Sequence, residues 1–158
     1  MRFAALAAAP LIAALALLAG CGSADESTPV ACLEGAEAYE QALRAAPDEV
    51  LLGEETLISE CLTRNQSGGD ISRVGEAMIE TATALNAEAR EDPGGDAAVQ
   101  LGYLLGAVKR GSEESEGIHS DLLRRLVAGA RFAPGRQPLP PAFYRAFRSG
   151  YAAGQSNG

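Results

Sequence analysis

Apolar residues recur at helical spacing along most of the chain after residue 28. The clearest run takes every third or fourth position of one segment, in the pattern of a packed helical seam: Ile71, Val74, Met78, Ala82, Leu85 and Ala89. Asp70 precedes this run as the predicted helix cap, and a Pro-Gly-Gly turn at 93–95 follows it. No segment alternates apolar and polar residues over a useful length, so the pattern favours an all-α fold.

Other segments carry helix signals of their own. Thr28 followed by Pro29 predicts a helix that begins there and ends at the Ala46-Pro47 step. Residues 59–66 can form a short helix, whereas the apolar run 50–52 is too short to assign. Residues 97–110, capped by Asp96, are apolar almost all round and are expected at the centre of the bundle.

Two more helices complete the C-terminal part. The first opens with the acidic turn Ser112-Glu113-Glu114, and the second starts at Pro141 and runs to about residue 153. We therefore predict a small helical bundle of four main helices plus a short helix. Its single domain spans residues 29–153, with a proline-rich connector over 132–141 and a frayed tail over 154–158.

Small residues occupy every fourth position of the predicted central helix, at Ala98, Gly102 and Gly106. Each glycine inside a helix costs up to about 1 kcal/mol relative to alanine. We expect the close approach of another helix to offset this cost. The simplest candidate for that helix is the one over residues 71–91.

Residues 1–20 have the pattern of a signal peptide, with Arg2 before an Ala/Leu-rich run that is too short to span a bilayer. The run ends at Leu18-Ala19-Gly20-Cys21, which resembles the lipobox of bacterial lipoproteins. This resemblance covers residues 1–21 and nothing downstream. It implies that the chain is cut before Cys21, whose thiol receives a diacylglyceryl group carrying acyl chains such as palmitate.

The resemblance also implies a location. A lipidated Cys21 would hold the protein on the extracytoplasmic face of the cell membrane, with membrane lipid as its first partner. Residues 21–28 are polar after the cysteine and are predicted to form a tether. Its seven residues after the cysteine reach about 25 Å at most, so the folded part stays close to the bilayer.

Cys32 and Cys61 remain once Cys21 is lipidated. An exported protein lies in a compartment that permits disulfides, and two thiols allow one pairing. We therefore expect a Cys32–Cys61 bond that stabilises the fold by about 3–4 kcal/mol, the alternative being two separate buried thiols.

Charge is divided unevenly along the chain. The net charge of −8 argues against a nucleic-acid-binding protein. Between residues 25 and 96 there are seventeen acidic and four basic residues, whereas six arginines and no acid follow Asp121. Either the basic end neutralises the acidic helices within one bundle, or it faces anionic lipid headgroups or a protein partner.

Catalytic and metal-binding patterns are weak in this sequence. It has no GxSxG, HExxH, phosphate-loop or GxGxxG motif, and its one histidine, His119, is the only possible centre of a catalytic relay. Glu116 and His119 match one Glu-x-x-His ligand pair, but a di-iron site needs two. We expect no catalytic residue, no metal site and no cofactor.

These observations favour a non-enzymatic, lipid-anchored module that binds or supports another envelope protein. The expected contact surface is either the acidic helix faces or the aromatic and basic face of the last helix, Phe143, Tyr144, Arg145, Phe147, Arg148 and Tyr151. The alternative is a small-ligand-binding lipoprotein with a pocket between helices, formed by Asn65, Gln66 and Tyr103.

Overall fold

Five α-helices build the fold in the computed structural model, which describes residues 27–134 and 137–158. They are α1 (Ala36–Leu43), α2 (Gly68–Glu91), α3 (Asp96–Glu114), α4 (Ser120–Ala130) and α5 (Pro141–Asn157). The predicted all-α helical bundle is confirmed. The short helix of the five is α1, whereas the short helix was expected over residues 59–66. The predictions on residues 1–20, on Cys21 and on positions 22–26 of the tether lie outside the described residues.

Helix α3 lies at the centre and contacts α2, α4 and α5, as its apolar circumference predicted. Helices α3 and α5 run in the same direction, because Val99 lies against Gly150 and Tyr103 lies against Gly154. Helix α1 packs on α2 and α3. The core therefore sits around α3, and its largest fully buried side chains there are Leu101, Tyr103, Leu104 and Leu105.

The predicted seam of α2 is buried except at its first position, where Ile71 is 39% exposed. The predicted cap is wrong by three residues. Ser67 is the N-cap, and its hydroxyl accepts a hydrogen bond from the Asp70 backbone N–H at 3.1 Å. The Gly68-Gly69 pair forms the first turn of the helix. At α3 the cap is Gly95, and Asp96 is the first helical residue.

The helix predicted from Pro29 to Ala46 is interrupted. Val30–Leu33 form a 3₁₀ turn, and α1 begins only after Gly35, which adopts a φ of +92° that no helix can contain. Thr28 does not cap this segment. It is buried, and its hydroxyl donates to Oδ2 of Asp70 at 3.2 Å, so Thr28 belongs to the folded body and not to the tether.

Cys32 and Cys61 form the expected disulfide, with both residues fully buried and their Cα atoms 5.5 Å apart. The bond ties the 3₁₀ turn Val30–Leu33 to a second one, Ile58–Cys61, which replaces the short helix expected over 59–66. Between them lies a two-stranded hairpin of β1 (Leu51–Leu52) and β2 (Thr56–Leu57), in which Leu51 pairs with Leu57.

The boundary between α3 and α4 differs from the prediction. Ser112-Glu113-Glu114 form the last turn of α3 instead of opening α4. The helix breaks after them because Glu116 and Gly117 both have positive φ, at 58° and 81°. Gly111 does not end the helix. Its missing side chain makes room for the Ser59 carbonyl, which would lie 2.5 Å from a Cβ at that position.

The small residues of α3 face another helix as predicted, but that helix is α5 and not α2. A Cβ on Gly102 would lie 2.1 Å from the Phe147 carbonyl oxygen. The relation is reciprocal, since a Cβ on Gly150 would lie 1.9 Å from the Val99 carbonyl oxygen. The two backbones are therefore in direct contact, which explains why glycine is retained despite its low helix propensity.

The tail predicted to fray over 154–158 is instead part of α5. Helix α5 continues to Asn157, whose carbonyl accepts a hydrogen bond from the Tyr103 hydroxyl at 3.0 Å. The Ser59 hydroxyl donates to the Gly158 carbonyl at 2.7 Å. Burial raises the pKa of Tyr103, so its phenol stays protonated and can donate this bond.

Candidate functional site: the groove between α4 and α5

One edge of the four-helix arrangement is open. Helix α4 packs on α2 and α3, and α5 packs on α3, but α4 and α5 scarcely approach each other. The gap between them is a groove of about 350 Å³. Its lining is mostly apolar and comes from all three neighbouring helices and the α4 C-cap: Leu105, Val127, Ala130, Arg131, Phe143, Tyr144, Phe147, Arg148 and Tyr151.

The groove stays open because each of its two walls is held elsewhere. Asn86 on α2 is buried, and its Nδ2 donates to the Ala130 carbonyl at 2.7 Å, which pins the end of α4 to α2. Helix α5 is drawn to α3 by the contact of Gly150 and Gly154 with the α3 backbone. Both walls are therefore fixed to the core and do not depend on contact with each other.

Three aromatic rings one turn apart form the α5 wall. Phe143 and Phe147 stack with their ring centroids 5.7 Å apart, and Phe147 and Tyr151 stack at 6.1 Å. Phe143 is buried, and Phe147 and Tyr151 are half-buried. Tyr144 meets the Phe143 ring edge-on and is 46% exposed. The wall combines a fixed base with an accessible aromatic rim, as in many docking surfaces.

The groove contains five of the six residues of the predicted contact face. Arg145, the sixth, is exposed but does not line the groove. The sequence does not predict the floor residue Leu105 or the α4 side of the groove, formed by Val127, Ala130 and Arg131. Leu105 lies in the segment expected at the centre of the bundle. The α4 residues lie one helical turn apart, but nothing in the sequence indicates which helix they face.

The arginines around the groove are not neutralised by the acidic half of the protein. Among the described residues, the ion pairs are Arg64–Glu116, Lys109–Glu113, Arg110–Glu114 and Arg124–Asp121. Their acids all follow residue 112, so none of the acids from 27 to 96 takes part. In the described ranges Arg131 and Arg148 make no ion pair, and the neutralisation considered from the sequence is not observed.

The residues considered for catalysis and metal binding do not form a site. His119 is buried, and its Nε2 lies 3.1 Å from the Thr63 carbonyl oxygen. Glu116 is exposed and pairs with Arg64, so the Glu-x-x-His pair does not converge on a shared point. Within 27–134 and 137–158, no three His, Cys, Asp or Glu side chains are grouped as a metal site would require.

The three residues considered for a ligand pocket have separate structural roles. Tyr103 is fully buried, and its hydroxyl both accepts from the Val50 backbone N–H at 3.1 Å and donates to α5. Gln66 uses its amide nitrogen to join the Thr28 hydroxyl and the Cys61 carbonyl, each at 3.0 Å. Asn65 is exposed. The structure therefore does not bring these residues together around a ligand.

Two larger depressions differ from the groove in character. One, of about 700 Å³, has polar and apolar surface in nearly equal parts and contains Arg64 and Glu114, both already engaged in ion pairs. The other, of about 650 Å³ between α2 and α4, carries both charge signs at Arg90 and Glu91. The α4–α5 groove is the one among these that combines an aromatic wall with charge of a single sign.

No helix in the described part of the chain is long and apolar enough to cross a bilayer. Comparison with protein-family models, with curated proteins and with solved structures finds no match for this chain.

Proposed function

We propose that this protein is a non-enzymatic module, anchored by a lipid on Cys21 at the extracytoplasmic face of a membrane, that binds another envelope protein in the α4–α5 groove. The observation that carries the binding role is the open edge of the bundle, where apolar and aromatic side chains remain accessible between two fixed walls. The lipobox at 18–21 supports the anchor and the compartment.

The shape of the groove suits an amphipathic helix as the occupant. Its aromatic wall extends from Phe143 to Tyr151, which is about 12 Å at the rise of an α-helix. Two turns of a partner helix have the same length and present apolar residues at positions i, i+4 and i+7. Such a helix would fill the missing edge and bury the exposed ring of Tyr144.

The charge around the groove indicates an acidic partner. Arg131 and Arg148 lie at its rim, and the chain has no acidic residue after Asp121. Carboxylates on the polar side of a bound helix would meet these arginines, which favours the correct partner and speeds its association. We therefore propose an envelope protein with an acidic amphipathic helix as the partner.

Site-specific photocrosslinking in the native cell envelope tests this proposal. A photoreactive residue at Tyr144 is expected to crosslink to one protein through a peptide that carries acidic residues and helically spaced apolar ones. The same residue at Glu88, exposed on α2 away from the groove, is the control and should give no such product. The charge reversal Arg148→Glu should reduce the Tyr144 crosslink at least tenfold, whereas Arg73→Glu on α2 should leave it unchanged.

Other crosslinking outcomes contradict the protein-binding role. Equal products from Tyr144 and Glu88 would show that the groove has no preference for a partner. A crosslink from Tyr144 to a small amphiphile instead of a protein would favour the small-ligand alternative, for which a groove of about 350 Å³ is large enough.

A further inference from the structure

Five large apolar side chains are exposed among the described residues, and they form an aromatic and an aliphatic group. Tyr144 lies in the α4–α5 groove, and Phe132 follows the C-terminus of α4. The other three are aliphatic: Val30 is 78% exposed, Ile118 54% and Ile71 39%. They lie far apart in the sequence, yet the fold places all three at the end of the bundle where the described chain begins.

Two observations place these three residues at one end of the bundle. The Thr28 hydroxyl donates to Asp70 at 3.2 Å, which holds the segment before Val30 against the first turn of α2, where Ile71 lies. Ile71 and Ile118 line the same shallow depression between α2 and α4. We call this end, defined by Val30, Ile71 and Ile118, the anchor end.

The anchor end is also the part of the body nearest to Cys21 along the chain. Ser27, the first described residue, is six residues after Cys21. Six extended residues span about 20 Å at most, so a lipid on Cys21 would keep this end within that distance of the bilayer. The opposite end, where α5 begins at Pro141, lies a full helix length away.

We propose that the anchor end is a second membrane contact, in which Val30, Ile71 and Ile118 enter the interfacial layer of the phospholipid bilayer. This inference rests on the proposed lipidation of Cys21, because the lipid anchor holds the anchor end close to the bilayer. Three exposed side chains alone would not hold the protein there. Burial of exposed aliphatic surface against lipid then holds the body at a fixed orientation.

The charges near the anchor end indicate an apolar contact and not an electrostatic one. Arg64 pairs with Glu116 at 3.1 Å, and Arg124 pairs with Asp121. The depression that Ile71 and Ile118 line also carries Glu76 and Arg125, one charge of each sign. Charges of opposite sign that lie this close together present little net field to anionic headgroups. Contact with the bilayer is therefore expected to depend little on salt or on the fraction of anionic lipid, in contrast to attachment through Arg131 and Arg148 of the α4–α5 groove.

The orientation has a consequence for the groove. Gly158 lies at the anchor end, where the Ser59 hydroxyl holds its carbonyl. Phe143 is fifteen residues earlier on the same helix, or about 22 Å away at the helical rise. With the anchor end on the bilayer, the groove stands above the headgroups and opens toward proteins at the membrane surface.

The absence of tryptophan from the sequence permits a direct test. Full-length lipidated protein with Val30→Trp or Ile118→Trp is reconstituted into phosphatidylcholine vesicles whose acyl chains carry bromine, a short-range quencher of tryptophan. Both reporters should be quenched at least twofold relative to unbrominated vesicles and shifted to shorter wavelength, at low and high salt alike. Phe132→Trp, outside the anchor end, is the matched control and should show neither change.

The results separate this inference from the anchor on which it rests. If the protein floats with the vesicles but the reporters at residues 30 and 118 are no more quenched than the one at 132, the anchor stands and the membrane contact is overturned. Strong quenching at 132 alone would also overturn it, by reversing the orientation. Protein that does not float with the vesicles lacks the anchor, which overturns both proposals.

Discussion

Replacing Gly150 by alanine is expected to remove about 3 kcal/mol or more from the free energy of unfolding, or to prevent folding. The new Cβ would lie 1.9 Å from the Val99 carbonyl oxygen and 2.7 Å from its carbon, both backbone atoms that no side-chain rotation can move. Overpacking costs about 1–3 kcal/mol even where side chains can adjust. Here α5 must separate from α3, and domains of this size have only about 5–15 kcal/mol of stability.

Gly129→Ala is the matched control for this substitution. Gly129 also lies inside a helix, but a Cβ there would meet no atom within 4 Å outside its local backbone. Alanine should therefore stabilise α4 by up to about 1 kcal/mol through helix propensity alone. Chemical denaturation of both variants measures the two effects. Equal stability of the two variants would show that the α3 and α5 backbones are not in contact.

Removing the Cys32–Cys61 bond, by the double substitution Cys32→Ala and Cys61→Ala, is expected to cost about 3–4 kcal/mol. The bond spans a sequence separation of 29 residues, and its loss restores the conformational freedom of that loop in the unfolded chain. For a domain of this size the midpoint of thermal unfolding should fall by about 10 °C or more. Thermal unfolding followed by circular dichroism measures the difference.

Reductant provides the control for the disulfide. Both cysteines are fully buried, so reductant should act on the wild-type protein only once it unfolds and should then lower its midpoint toward that of the double variant. The double variant should not respond to reductant. A double variant as stable as the oxidised wild-type protein would contradict the stabilising role of the bond.

The features that the sequence predicted best are those that depend only on the helical spacing of apolar residues. The α2 seam from Val74 to Ala89 and the burial of α3 follow from helical periodicity alone, and so they could be read directly. The Cys32–Cys61 pairing needed only the count of cysteines and the compartment.

Two glycines show where prediction from the sequence fails. Gly35 breaks the first predicted helix through its positive φ, whereas Gly111 stays helical and has the Ser59 backbone packed against it. Glycine has the same local preferences in both places. The sequence therefore indicates that a helix can end at either glycine, but it does not indicate at which one a helix does end.

The partner of the small-residue row could have been identified. Glycine recurs every fourth residue at 150 and 154 in α5 and at 158 directly after it, with the same period as Ala98, Gly102 and Gly106 in α3. Two rows with matching period can pack backbone against backbone over several turns. The groove itself could not be predicted, because it is a gap between α4 and α5 and depends on where Asn86 and Gly150 attach the two helices.

Mass spectrometry of the protein from its own membrane tests the central claim, which is the anchor at Cys21. The N-terminal peptide is expected to begin at Cys21 and to carry the mass of a diacylglyceryl group on its thiol. Intact protein recovered from the cytosol with residues 1–20 still attached would contradict the anchor, the envelope location and the proposed role together.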